Sequence, residues 1–102
     1  MEEYWVTFRI ESNAGYEKRY KALLDGMISA RGKNASWGEP TSFWLVRTPL
    51  AIDQFMAKLT SGLDAKTDLV VCRCLAKDNS RYFGSVQHLD ILMDFLPNVK
   101  NA

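Results

Sequence analysis

Residues 41–59, TSFWLVRTPLAIDQFMAKL, and residues 68–75, DLVVCRCL, decide the fold between them. Thr41 to Thr48 is dominated by aromatic and β-branched residues, a composition that fits a pleated, half-buried surface. Thr48-Pro49 then reads as a helix start, with a capping hydroxyl and proline at the first helical position. Ile52, Phe55, Met56 and Leu59 recur at the spacing of one buried helical stripe, and Gly62 followed by Leu63 has the form of a glycine stop with a trailing apolar contact. Asp64 to Thr67 is a polar turn, after which Asp68 to Leu75 is a second strand. The unit is therefore strand, helix, strand.

Toward the amino terminus the same unit recurs. Tyr4, Val6, Phe8 and Ile10 alternate with Trp5, Thr7, Arg9 and Glu11, the period of a strand with one apolar face. Ser12-Asn13-Ala14-Gly15 supplies turn and capping chemistry, and Tyr16, Tyr20, Leu23, Leu24, Met27 and Arg31 follow at helical spacing up to Gly32. Glu17, Lys18, Lys21, Asp25 and Ser29 fall on the opposite, solvated face. Residues 33–40, with Trp37, Gly38, Glu39 and Pro40, predict a short edge strand and a tight turn, because proline cannot serve a central ladder. Beyond the Asp78-Asn79-Ser80 turn, Val86, Leu89, Leu92, Met93 and Leu96 predict a closing helix that Pro97 ends. The expected architecture is α+β, one domain over residues 1–102. It is a ferredoxin-like βαββαβ sandwich, a four-stranded antiparallel sheet with two helices on one face, plus a C-terminal helix. That fold hosts unrelated functions, so chemistry must be argued from residues.

Composition narrows the function classes. Lys and Arg total 13 against 12 Asp and Glu, a net charge of +1, which excludes a highly basic nucleic-acid arm. The acidic start, Met1-Glu2-Glu3-Tyr4-Trp5, lacks the basic and apolar regions of a secretory leader, so a cytoplasmic location is expected. No apolar run approaches the roughly 18 residues of a membrane span. Cys72 and Cys74, two positions apart on a strand, point to one face and read as reduced core thiols.

Catalytic motifs are absent: there is no Gly-rich phosphate loop, no His-Glu-x-x-His helix, no Cys-x-x-Cys and no Gly-x-Ser-x-Gly elbow, so no cofactor is expected. His88, the only histidine, reads as a surface or helix-end residue. Asp64, Asp68, Asp78, Asp90 and Asp94 read as turn, cap or solvated-face carboxylates, since magnesium ligation would need them to converge.

The sheet face away from the helices is the unusual surface. Side-chain alternation leaves Trp5, Thr7, Arg9 and Glu11 there from strand one, Phe43, Leu45 and Arg47 from the Thr41–Thr48 strand, and Leu69, Val71, Arg73 and Leu75 from the last. With strand one central, Arg47 and Arg73 approach its Trp5 end and Arg9 lies nearer Phe43. A face so apolar marks an interaction site. It can serve a homodimer burying Phe43, Leu45, Leu69 and Val71, or a nucleic acid stacked on Trp5 and Phe43 with arginines at the phosphates. Alternatively the last helix folds back over it.

Ser42 to Thr48, the helix Ile52 to Leu59, Leu63-Asp64 and Asp68 to Val71 resemble the SinR-like bacterial proteins, which look like relatives of CRISPR-associated protein two and the VapD-type toxins. The resemblance spans residues 4 to about 84 and is clearest from Thr41 to Val71. It implies a ferredoxin-like homodimer whose relatives bind nucleic acid or cleave it with a divalent metal. Nuclease relatives carry a Tyr-Asp pair at the end of strand one, where this chain has Phe8-Arg9, and arginine cannot ligate a cation. The expectation is a non-catalytic homodimer associated with a partner or nucleic acid. The alternative is a nuclease in which Glu11 and Asp68 hold Mg2+ or Mn2+.

Overall fold

The computed structural model describes residues 1–102. In chain order the elements are β1 (Glu2–Arg9), α1 (Tyr16–Arg31), β2 (Ser36–Trp37), β3 (Phe43–Thr48), α2 (Ile52–Thr60), β4 (Leu69–Cys74), β5 (Ser80–Gly84), α3 (Leu89–Phe95) and β6 (Val99–Asn101). The chain is thus α+β, with three helices and one sheet in the order β2-β3-β1-β4-β5-β6. The sheet has six strands where four were expected. β5 pairs antiparallel with β4, and β6 pairs parallel with β5. β5 escaped the sequence reading because only Arg81, Tyr82 and Phe83 carry strand character between a turn and Gly84. Gly84 itself sits at φ +101°, and a Cβ there would collide with the Asp68 carbonyl oxygen, so glycine lets β5 close against the start of β4.

The core lies between the sheet and the α1–α2 layer. Tyr4, Val6, Phe8, Trp44, Val46, Val70, Cys72 and Cys74 from the strands meet Leu23, Met27, Ala30, Ile52, Phe55, Met56 and Leu59 from the helices. Tyr4 stacks on Phe55 with centroids 4.6 Å apart, and its hydroxyl donates to the Leu50 carbonyl at 2.9 Å. Both cysteines are buried and unbridged, and burial pushes the Cys72 thiol up to about 12.

All three helix starts differ from expectation, α3 beginning at Leu89 and leaving Val86 outside it. α2 begins at Ile52 rather than Pro49, because the Thr48 hydroxyl caps no helix. It donates to the Ala30 carbonyl at 2.7 Å and accepts from the Leu50 N–H at 3.1 Å, joining the end of β3 to the last turn of α1. α1 begins after Gly15 without a side-chain cap from Ser12 or Asn13. That turn is organised instead by Arg19, whose guanidinium donates to the Glu11 and Ala14 carbonyls and to Asn13 Oδ1.

The handedness of the β5-α3-β6 crossover assigns α3 to the other face of the sheet. Parallel crossovers are almost always right-handed. β5 runs parallel to β1, but β5-α3-β6 advances toward the opposite edge from β1-α1-β2, so the same hand puts α3 on the face opposite α1. Burial agrees with this placement. Val71 at 7%, Ser80 at 0% and Val99 at 6% all point away from the main core and are nonetheless covered.

Candidate functional site

Strand register lays the open face out in rows. One row runs Trp37, Leu45, Trp5, Arg73, Ser80, Val99 across all six strands, and the next runs Phe43, Thr7, Val71, Tyr82, Asn101. Glu3 and Arg47 pair beyond the first row, and Arg9 and Leu69 pair beyond the second. Arg73 therefore stands opposite Trp5, while Arg9 lies one row past Phe43.

The two halves of this face differ in burial. On the β4–β6 half Val71, Ser80 and Val99 are buried, which corrects the expectation that Val71 offers its side chain to a partner, while Leu69, Arg73 and Tyr82 stay half-buried. The β2–β3–β1 half stays bare, with Trp5, Phe43 and Leu45 half-buried and Trp37 at 44% exposure. Trp37 and Phe43 meet edge-to-face at 6.5 Å. A depression of about 230 Å3 opens beside them, its rim including Trp37, Leu45, Leu75 and the Glu3–Arg47 pair.

The arginines are held in different ways. Arg47 donates Nε to Glu3 at 2.8 Å and brings its Nη2 to 2.7 Å, a surface pair of small energy because both partners are about half exposed. Arg73 lies 3.6 Å from Asp78, and Arg9 reaches only the Ser85 carbonyl at 3.3 Å. On these strands three arginines face one carboxylate, Glu3.

α3 carries the opposite character. None of its residues is buried, its acids are Asp90 and Asp94, and it has no basic residue in its last turn. Leu89, Leu92 and Leu96 are half-buried, whereas Ile91, Met93 and Phe95 stand 53%, 44% and 79% exposed. By helical spacing Asp90, Ile91, Asp94 and Phe95 share one outward face. Sequence reading assigned this helix a single apolar side and missed the second, although six apolar residues in the eight positions from Leu89 to Leu96 exceed what one side can bury. It also missed Trp37, whose face follows only from its pairing with Leu45.

Of the two carboxylates proposed for metal, Asp68 is engaged within the fold. Asp68 is fully buried and its oxygens accept from the Arg19 Nε at 2.9 Å and the Glu11 and Asp64 N–H groups at 3.0 and 2.9 Å. Burial alone would raise its pKa, but the Asp64 and Glu11 amides and the Arg19 guanidinium overcome that and hold it below the usual carboxylate range. Glu11 meets Asp68 through its backbone, and no group of three His, Cys, Asp or Glu side chains is placed to hold a metal ion. His88 is the exposed residue preceding α3, where its carbonyl accepts from the Leu92 N–H. No helix is long and apolar enough to cross a membrane. In comparisons with known proteins, the chain matches no family model, no curated protein and no solved structure.

Proposed function

We propose that this chain is a non-catalytic, ferredoxin-like interaction module that works as a homodimer through the bare half of its open sheet face. The observation that carries the reading is the contiguous surface of Trp5, Trp37, Phe43 and Leu45, more apolar than a free strand surface needs to be. The order β2-β3-β1-β4, antiparallel throughout, supports the ferredoxin-like part, with β5 and β6 as an extension. The SinR-like resemblance implies the same assembly, and the Phe8-Arg9 pair together with the Asp68 ion pair supports the absence of a nuclease centre.

A second reading, single-stranded nucleic acid on the same face, draws support from the aromatic pair Trp37–Phe43 beside Arg9 and Arg47. It is the weaker one because α3 sets Asp90 and Asp94 on the neighbouring surface, where they would repel phosphates.

Solution mass tests the proposal. Sedimentation equilibrium is expected to give twice the 11.6 kDa of one chain, and Leu45→Glu is expected to return a monomer with unchanged circular dichroism. A wild-type chain that stays monomeric while binding labelled RNA in a salt-sensitive way would transfer the face to nucleic acid. Cleavage lost with EDTA would restore the nuclease alternative.

A further inference from the structure

Two surfaces on this chain are complementary and cannot meet within one copy. The floor of strands β2, β3 and β1 is apolar and carries Arg9 and Arg47, and it ends in the depression rimmed by Trp37, Leu45 and Leu75. The outward face of α3 is apolar and acidic, offering Asp90, Ile91, Asp94 and Phe95. α3 stands over the β4–β6 half of the same sheet, so the molecule presents a step: a raised helix beside a bare floor. Two such steps related by a twofold axis close on one another, the raised part of each filling the bare part of the other.

We propose that α3 of a second copy docks on the bare floor of this one, and reciprocally, with the exposed Phe95 side chain seated against the Trp37–Leu45–Leu75 depression and the α3 acids turned to Arg9 and Arg47. This inference rests on the homodimer reading above and adds to it the element that occupies the floor. Phe95 is the most exposed large apolar side chain of the molecule, and the depression is the apolar socket on the floor. Charge sets the pairing of unlike surfaces, because floor on floor would oppose arginines and helix on helix would oppose aspartates.

Charge reversal tests it. Arg9→Glu with Arg47→Glu reverses the floor, and Asp90→Lys with Asp94→Lys reverses the helix. All four positions are exposed, so folding is expected to survive and is checked by circular dichroism. Each double variant alone is expected to weaken the dimer about tenfold or more by sedimentation. The quadruple variant, with floor and helix both reversed, is expected to recover dimerisation to within about threefold of wild type, because unlike charges again face one another. A dimeric wild type whose quadruple variant is no better than either double variant would overturn the α3 docking and leave the dimer standing. A monomeric wild type would overturn the homodimer reading itself. Phe95→Ala supplies a check without charge changes: it is expected to weaken the dimer, and an unchanged dimer would overturn the seating of Phe95.

Discussion

Asp68 joins three parts of the chain at one atom group. Its carboxylate receives the Arg19 guanidinium from α1, the Glu11 amide after β1 and the Asp64 amide before β4. Removing one partner of such a buried pair leaves the other charge uncompensated, so Asp68→Ala is expected to cost about 3 kcal/mol in urea unfolding. The pH dependence follows from the direction of its shift. The folded state holds the proton more weakly than the unfolded chain, so this stabilisation is complete above the ordinary carboxylate value of about 4 and is lost as pH falls through the lower folded value. A plot of unfolding free energy against pH is therefore expected to decline on acidification in the wild type and to flatten in Asp68→Asn. Thr48 carries a smaller share. Thr48→Val leaves the Ala30 carbonyl and the Leu50 amide without their partner and is expected to cost about 1–2 kcal/mol in the same assay.

At the level of elements, the helices differ in how they are held. α1 and α2 approach closely at Gly26, where a Cβ would collide with the Lys58 carbonyl oxygen. Alanine in a helix interior ordinarily gains up to about 1 kcal/mol over glycine. Gly26→Ala is expected to reverse that sign and lose about 1–3 kcal/mol, because the helices must separate to admit the methyl group. α3 has no buried residue, and β6, which follows it, is three residues long. In dilute solution its amides are expected to exchange at least about tenfold faster than those of α1, as measured by hydrogen–deuterium exchange. Raising the protein concentration is expected to slow exchange in α3 and in the Trp37 and Leu45 region together, since docking would cover both.

For the whole molecule, two layers of different quality share one sheet. On one side sixteen buried residues form a continuous core with α1 and α2. On the other, only Val71, Ser80 and Val99 are buried, and the surface of β2, β3 and β1 stays open. That asymmetry leaves an apolar half-face of the sheet open on one side of the molecule. The proposed dimer is expected to weaken as salt rises, because the proposal sets exposed arginines against aspartates, while its apolar contacts would persist. Dilution series at low and high ionic strength measure both contributions.

Sequence alone determined the elements that repeat a periodic pattern over enough residues: β1, β3 and β4 by alternation or β-branched content, α1 and α2 by apolar stripes and glycine ends. It also located Arg9, Phe43, Leu45, Arg47 and Arg73 on one face, because strand alternation needs no tertiary knowledge. Tertiary structure alone decided the rest. β5 and β6 are too short to declare themselves and exist because β4 offers an edge to pair with. The burial of Val71, the closure of Asp68 on Arg19 and the outward side of α3 depend on contacts between residues far apart in the chain. Local patterning reports which way a side chain points, and only the assembled fold decides what stands in front of it.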